Sequence, residues 1–197
     1  MKTIKVKIKG ITPLLQHRFT EDELFGLLGT KTTKKKDKGE ETPRQIAEKC
    51  AYKSDDGTFY IPTEYITGAL AYVATEYKQK NSQRKSLKQI IKGIVSPTTI
   101  SSQLFADEEM QTPINDFEVD VRRATNHQKG AVAVCRPRFD KWFTELELQI
   151  DDEIVATETV QEMLQDAGKR SGIGSFRVSK GGIFGKFHVI EFIEVKN

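Results

Sequence analysis

The chain has 197 residues, a formal net charge of +3, 37% hydrophobic and 30% charged residues, the balance of a globular chain with one sizeable domain. No apolar run is long enough to span a membrane, and the alternating start Met-Lys-Thr-Ile-Lys-Val-Lys-Ile-Lys cannot form a signal-peptide core, so a cytoplasmic protein is expected. Cys50 and Cys135 lie far apart without a Cys-x-x-Cys or histidine pattern, which points to two reduced, buried thiols rather than a zinc site or a disulfide framework.

Along the chain, Ile4, Val6 and Ile8 alternate with Thr3, Lys5, Lys7 and Lys9, the period-two pattern of a strand with one buried face. Residues 29–42 hold no large apolar side chain and read as a flexible basic insertion. Thr42-Pro43 starts a helix with Ile46, Ala47 and Cys50 on one side. Asp55-Asp56-Gly57 turns the chain into a strand at 58–61, and Pro62-Thr63-Glu64 opens a helix on which Ile66, Ala69, Leu70, Val73 and Tyr77 recur at helical spacing. A helical, basic insertion near 78–97 follows, with Lys78, Lys80, Arg84, Lys85, Lys88 and Lys92 uninterrupted by acid and a short helix at 87–91. Strands are expected at 99–105, 117–125, 131–139 and 143–150, the middle two forming a hairpin through Asn126-His127-Gln128-Lys129-Gly130. Thr157 or Thr159 caps a helix carrying Val160, Met163, Leu164 and Ala167, which Gly168 ends. The last strand, 187–195, is partly apolar on both faces, the mark of a central strand.

One helix in each half of a strand-rich chain implies an α+β domain over residues 1–197, with an antiparallel sheet and helices on one face. A β-α-β-β-α-β ferredoxin-like (RRM-like) core is the economical arrangement, leaving an open sheet face, or a loop at its rim, for a ligand.

Residues 168–187 supply such a loop. Six glycines, at 168, 172, 174, 181, 182 and 185, are interleaved with Lys169, Arg170, Arg177, Lys180 and Lys186, and no acid intervenes. Glycine allows backbone N–H groups to approach an anion while the cations supply charge, and Phe176 and Phe184 add flat surfaces for bases. The registers of a phosphate-binding P-loop and of the dinucleotide fingerprint both fail, because Phe187 follows Gly185-Lys186 and Arg177 stands three residues after Gly174. A polyanion with repeated phosphates fits better than ATP or NAD, and no cofactor is expected.

Three separated pieces resemble the RAMP superfamily, whose ferredoxin-like members form CRISPR effector backbones and process guide RNA. They are Ile8-Lys9-Gly10-Ile11-Thr12-Pro13-Leu14-Leu15, Tyr60-Ile61-Pro62-Thr63-Glu64-Tyr65-Ile66-Thr67-Gly68-Ala69-Leu70, and the glycine loop from Gly172 to Phe187. Where backbone subunits carry a basic residue in the second piece, Glu64 to Gly68 here has none. The middle segment, from Arg122-Arg123 to Trp142, is similar to phage and prophage proteins with the same type of C-terminus. The resemblance implies a phage-related, non-catalytic protein that binds single-stranded RNA or DNA. It also implies assembly along the ligand or with other effector or phage proteins.

Guide-processing members of that superfamily use a histidine to assist a 2′-hydroxyl nucleophile. His17, His127 and His188 are the histidines present, and His17, after the Pro-Leu turn, is the best placed. Each also fits an ordinary hydrogen-bonded histidine. Glu21, Asp22 and Glu23 can serve a metal but read better as a helix start capped by Thr20. For binding, the candidates are Arg122, Arg123, Lys129, Arg136 and Arg138 on the hairpin with Lys169, Arg170, Gly172, Gly174, Arg177, Lys180, Gly182 and Lys186 of the loop. Period two puts Arg136 and Arg138 on one face, where they either track a nucleic-acid backbone or pair with Asp116, Glu118 and Asp120. Phe139 or Trp142 can stack on bases, although Trp142 reads better as core.

Overall fold

The computed structural model describes residues 1–20, 24, 28, 41–125 and 131–195, with no side-chain account of 124 and 125. Glu21, Asp22 and Glu23, most of the insertion expected at 29–42, and the hairpin tip with His127 and Lys129 lie outside these residues.

Strand β1 (Lys2–Gly10) turns Ile4, Val6 and Ile8 fully inward, as its alternation requires. It pairs antiparallel with β8 (Phe143–Ile150) through Ile4↔Leu148 and Val6↔Leu146, and with β9 (Phe187–Glu194) through Val6↔Phe192 and Ile8↔Val189, with an irregularity between Lys7 and Ile8. β5 (Ser101–Phe105) continues the sheet from β8 and β3 (Tyr60–Pro62) from β5, giving the order β3-β5-β8-β1-β9. Helices α2 (Glu64–Val73) and α4 (Thr157–Arg170) connect the halves. The run β9-β1-β8-β5 is therefore the strand order of the expected ferredoxin-like core. Ile66, Leu70 and Val73 of α2 join Val160, Met163, Leu164 and Ala167 of α4 in one buried cluster with the inward face of β1 and β8. Each such aliphatic side chain contributes about 1.5–3 kcal/mol relative to exposure.

A second sheet is made of β2 (Leu14–Leu15), β7 (Ala131–Phe139) and β6 (Glu118–Thr125), in the order β2-β7-β6. Helix α1 (Pro43–Lys49) lies against it, started by a capping box in which Thr42 and Gln45 exchange side-chain and backbone bonds. Phe59 sits 5.2 Å from Phe139 and 5.6 Å from Phe117, an aromatic joint next to the β3 edge. Trp142 is completely buried, donates its indole N–H to the Thr12 carbonyl at 3.0 Å, and covers Gly10 so closely that a Cβ there would meet the ring at 2.2 Å. Trp142 and the buried Phe139 are thus core residues, and neither offers a face to a base.

Several expectations change in detail. α4 does not stop at Gly168 but runs on to Arg170, with Gly172 taking the left-handed turn after it at φ +64°. Gly168 is needed for a different reason: a Cβ would lie 2.1 Å from the Phe187 carbonyl oxygen, so its absence lets the helix touch β9. Neither Thr157 nor Thr159 caps α4, whose N-cap is Ala156. β9 is an edge strand, not a central one, because only Phe187 and Val189 are buried while Ile190 and Ile193 stay in solvent. The strand foreseen at 99–105 is β5, starting at Ser101, and a further short strand, β4 (Val95–Pro97), precedes it. Both pair with β8, and Ser102 of β5 bonds the Thr144 hydroxyl at 2.6 Å and the Glu145 carbonyl at 2.6 Å. The short helix comes a few residues late, as α3 (Ile91–Ile94), and Tyr77 lies beyond α2 with its hydroxyl bonded to Asp166 at 2.7 Å.

Candidate nucleic-acid interface

The open face of the main sheet carries Lys5 and Lys7, but these cations are answered from within the protein. Lys5 meets Glu145 at 2.9 Å, and Lys7 lies 3.3 Å from Glu191 and 3.8 Å from Glu145. Alternate charges across neighbouring strands leave that face near neutrality, a poor attractor for a polyanion.

The glycine loop is built differently from a phosphate nest. Its N–H groups at Ile173, Gly182, Phe184 and Gly185 donate to the carbonyls of Gly185, Arg177, Phe176 and Pro13, and that of Ser175 donates to Leu15. The glycines permit these close crossings: a Cβ on Gly174 would come within 2.4 Å of the Leu15 oxygen, and one on Gly182 within 1.7 Å of the Phe176 oxygen. Arg177 also turns inward, bonding Ser179 at 3.1 Å and the Gly174 carbonyl at 3.0 Å. The loop is a braced plug over β2 whose exposed points are Lys180, Gly181 and Ile183.

What the plug holds up is a pair of aromatic rings. Phe176 has φ +48°, a left-handed conformation that costs a bulky residue on the order of 1–2 kcal/mol. In that conformation its ring lies 4.5 Å below the Arg136 guanidinium and 6.0 Å from that of Arg122. Phe184 takes the other side of Arg122 at 4.6 Å. The register of β6 and β7 sets Asp120 directly opposite Arg136. Asp120 nevertheless spends both carboxylate oxygens on Arg122, at 2.7 and 3.0 Å.

Arg136 is consequently left with its charge and, among the described residues, without an acceptor for two of its three nitrogens. It is 8% exposed, and its Nε and Nη1 are buried with no acceptor. Burial pushes its guanidinium below the ordinary arginine pKa, with Asp120 opposing that shift. Arg122, Arg136 and Asp120 together carry one surplus positive charge in a half-enclosed, aromatic-walled position. Such a cluster has the charge and the unused donors that an anion would complement.

The remaining expected residues separate into groups. Arg138 shares a face with Arg136 as expected, but it is bidentate to Asp140 at 2.7 and 3.1 Å, which raises its pKa. Asp116 pairs with Arg44 instead of a hairpin arginine, and Arg123 is exposed. Arg170 forms a two-pronged pair with Glu76, which raises the guanidinium pKa and lowers that of the carboxyl. Lys169 is exposed at the end of α4, whereas Lys186 gives its backbone N–H to the Thr12 hydroxyl. His17 lies just after β2, whose pairing with β7 ends at Leu15↔Arg138, and the Gln16 N–H beside it donates to the Pro137 carbonyl at 3.2 Å. His188 is exposed on β9. Among the described residues, no cluster of three histidine, cysteine or acidic side chains can hold a metal. Cys50 and Cys135 are both buried and are not joined in a disulfide.

No protein-family model matches the sequence, and a search of curated proteins returns no match. Solved structures do match. In the cryo-EM structure of the type III-B Cmr-beta bound to cognate target RNA, one chain aligns over 99% of the present chain with a TM-score of 0.57 and 11% identity. The present chain spans 61% of that protein's length. The two chains share a fold. Cmr6 from Pyrococcus furiosus aligns over 95% of the chain and 97% of its own, with a TM-score of 0.45 and 13% identity. Among the described residues, no helix is long and apolar enough to cross a membrane.

Proposed function

We propose that the protein binds single-stranded nucleic acid through the Arg122–Arg136 cluster and does not cleave it. The carrying observation is the Arg136 guanidinium, nine-tenths buried, stacked on a strained phenylalanine and lacking acceptors for Nε and Nη1. A phosphate oxygen is the natural complement, since it brings both the missing acceptor and the missing negative charge. Exposed Lys180, on the same loop as Phe176 and Phe184, extends the contact along the backbone. Likeness to a Cmr-type fold favours RNA as the ligand and assembly with further subunits as the setting, while the phage-like middle segment favours a phage origin and admits single-stranded DNA.

The test is binding of short labelled single-stranded RNA, single-stranded DNA and duplex probes across salt concentrations. Affinity should fall steeply with salt, and Arg122→Ala should weaken single-strand binding about tenfold or more, roughly 1.4 kcal/mol. Flat or absent binding, or an Arg122→Ala protein indistinguishable from wild type, overturns the reading.

One observation favours an endoribonuclease as the second reading. The Gln16 N–H donates to the Pro137 carbonyl, so the residue after it, His17, and the residue before Pro137, Arg136, flank one backbone hydrogen bond at the end of β2. Site-specific cleavage of RNA that disappears in His17→Ala would establish it in place of binding alone.

A further inference from the structure

The segment between α2 and α3 carries a second cationic surface. Residues 78–92 contain six cations and no Asp or Glu. Lys80 is used internally, its Nζ donating to the Asp152 carbonyl at 3.1 Å. Lys78, Arg84, Lys85, Lys88 and Lys92 are exposed, and among the described residues none of them forms an ion pair within 4.0 Å.

This segment is braced rather than loose. Leu87 is fully buried, and its N–H donates to the Tyr77 carbonyl at 3.0 Å. The Gln79 N–H reaches the Lys85 carbonyl at 2.9 Å, the Lys80 N–H reaches Ile154 at 2.7 Å, and the Ser86 hydroxyl reaches Ala74 at 3.1 Å. Asn81 turns the chain at φ +62°. The cations therefore stand on an ordered frame, which spares a ligand much of the entropy of arranging them. A shallow cleft lined by Thr75, Gln79, Lys85, Ser86, Lys88 and Gln89 mixes ammonium groups with amides and hydroxyls, all able to donate to phosphate oxygens.

We infer that residues 78–92 form a second contact for the phosphodiester backbone of the bound nucleic acid, separate from the arginine–phenylalanine cluster. The inference rests on the reading that this protein binds nucleic acid. A protein partner fits poorly, because between residues 78 and 92 no apolar side chain is exposed that could anchor an interface. The contact is sequence-neutral and reports itself in salt dependence: on a single strand each phosphate contact adds about 0.7 to the slope of log affinity against log salt.

The experiment compares the full-length protein with two triple variants of equal charge loss. One is Lys85→Ala, Lys88→Ala, Lys92→Ala. The control is Lys2→Ala, Lys49→Ala, Lys53→Ala, whose lysines already pair with Glu194, Glu41 and Glu48. With single-stranded RNA of about 20 nucleotides, the first variant should lose about 2 from the salt slope relative to the control, with its Arg122-dependent binding retained. Equal slopes for the two triples overturn the inference while leaving the proposed function standing. A slope loss in the first triple alongside no effect of Arg122→Ala sustains the insertion as the contact and removes the cluster. Wild-type protein that binds no probe overturns both.

Discussion

At the scale of single residues, Arg136 sets stability against function. A buried guanidinium without acceptors costs free energy in the empty protein, and only an arriving anion repays that cost. Arg136→Met, similar in length and able to lie on Phe176, should raise the urea midpoint by an amount equivalent to about 1–3 kcal/mol while weakening nucleic-acid binding. A lowered midpoint would mean that the charge is already compensated. Tyr77 gives a cleaner titration. Burial first, and then the bond to Asp166, pushes its phenol up to about 12. The folded state thus binds that proton more tightly than the unfolded state does, so the contribution is full below pH 10 and is lost as pH rises towards 12. Tyr77→Phe should flatten the alkaline unfolding profile in that window, and an unchanged profile would contradict the assignment. The arginines and phenylalanines of the cluster were legible in the sequence as residue types, but not their partners. Asp120 has Arg136 across the ladder and Arg122 two positions along its own strand, and alternation alone does not choose between them.

At the scale of elements, periodicity identified β1 and β8 because each has one face that must be dry, while β6 and β7 were legible as the arms of a hairpin. It misplaced β9, since two apolar faces in sequence do not say what covers the second. Here α4 covers one, and the other faces solvent. Gly168 was read as a helix stop for a similar reason: a glycine four residues before a left-handed turn looks the same whether it ends a helix or admits a neighbour. Gly168→Ala separates these meanings. At a true stop alanine would cost only the strain of a left-handed φ and leave α4 in place, whereas a Cβ 2.1 Å from the Phe187 oxygen forces α4 away from β9. The expected loss is about 1–3 kcal/mol in denaturant unfolding. The glycine loop was legible as a special segment, but its backbone donors turned out to serve the loop itself, which no composition rule distinguishes from a phosphate nest.

Across the whole molecule, a formal charge of +3 conceals a division of labour. The open sheet face balances Lys5 and Lys7 against Glu145 and Glu191, while the hairpin cluster and the 78–92 insertion keep their surplus. Lys5→Ala together with Lys7→Ala should therefore leave nucleic-acid affinity and its salt slope within about twofold of wild type, although both residues sit on the face that an RRM-like fold leaves open. A large loss on titration with single-stranded RNA would return the ligand to that face. The fold was readable at this scale because the order of strands and helices leaves few arrangements, and the ferredoxin-like one satisfies them.

The position of β1 also governs how this chain comes into being. The strand that ends between residues 143–150 and 187–194 is made before either of them. At roughly 5–20 residues per second, these partners emerge from the ribosome on the order of ten seconds or more after it does. Through that interval Ile4, Val6 and Ile8 are an unpaired, alternating, β-branched edge, open to pairing with another chain until residues 187–194 arrive.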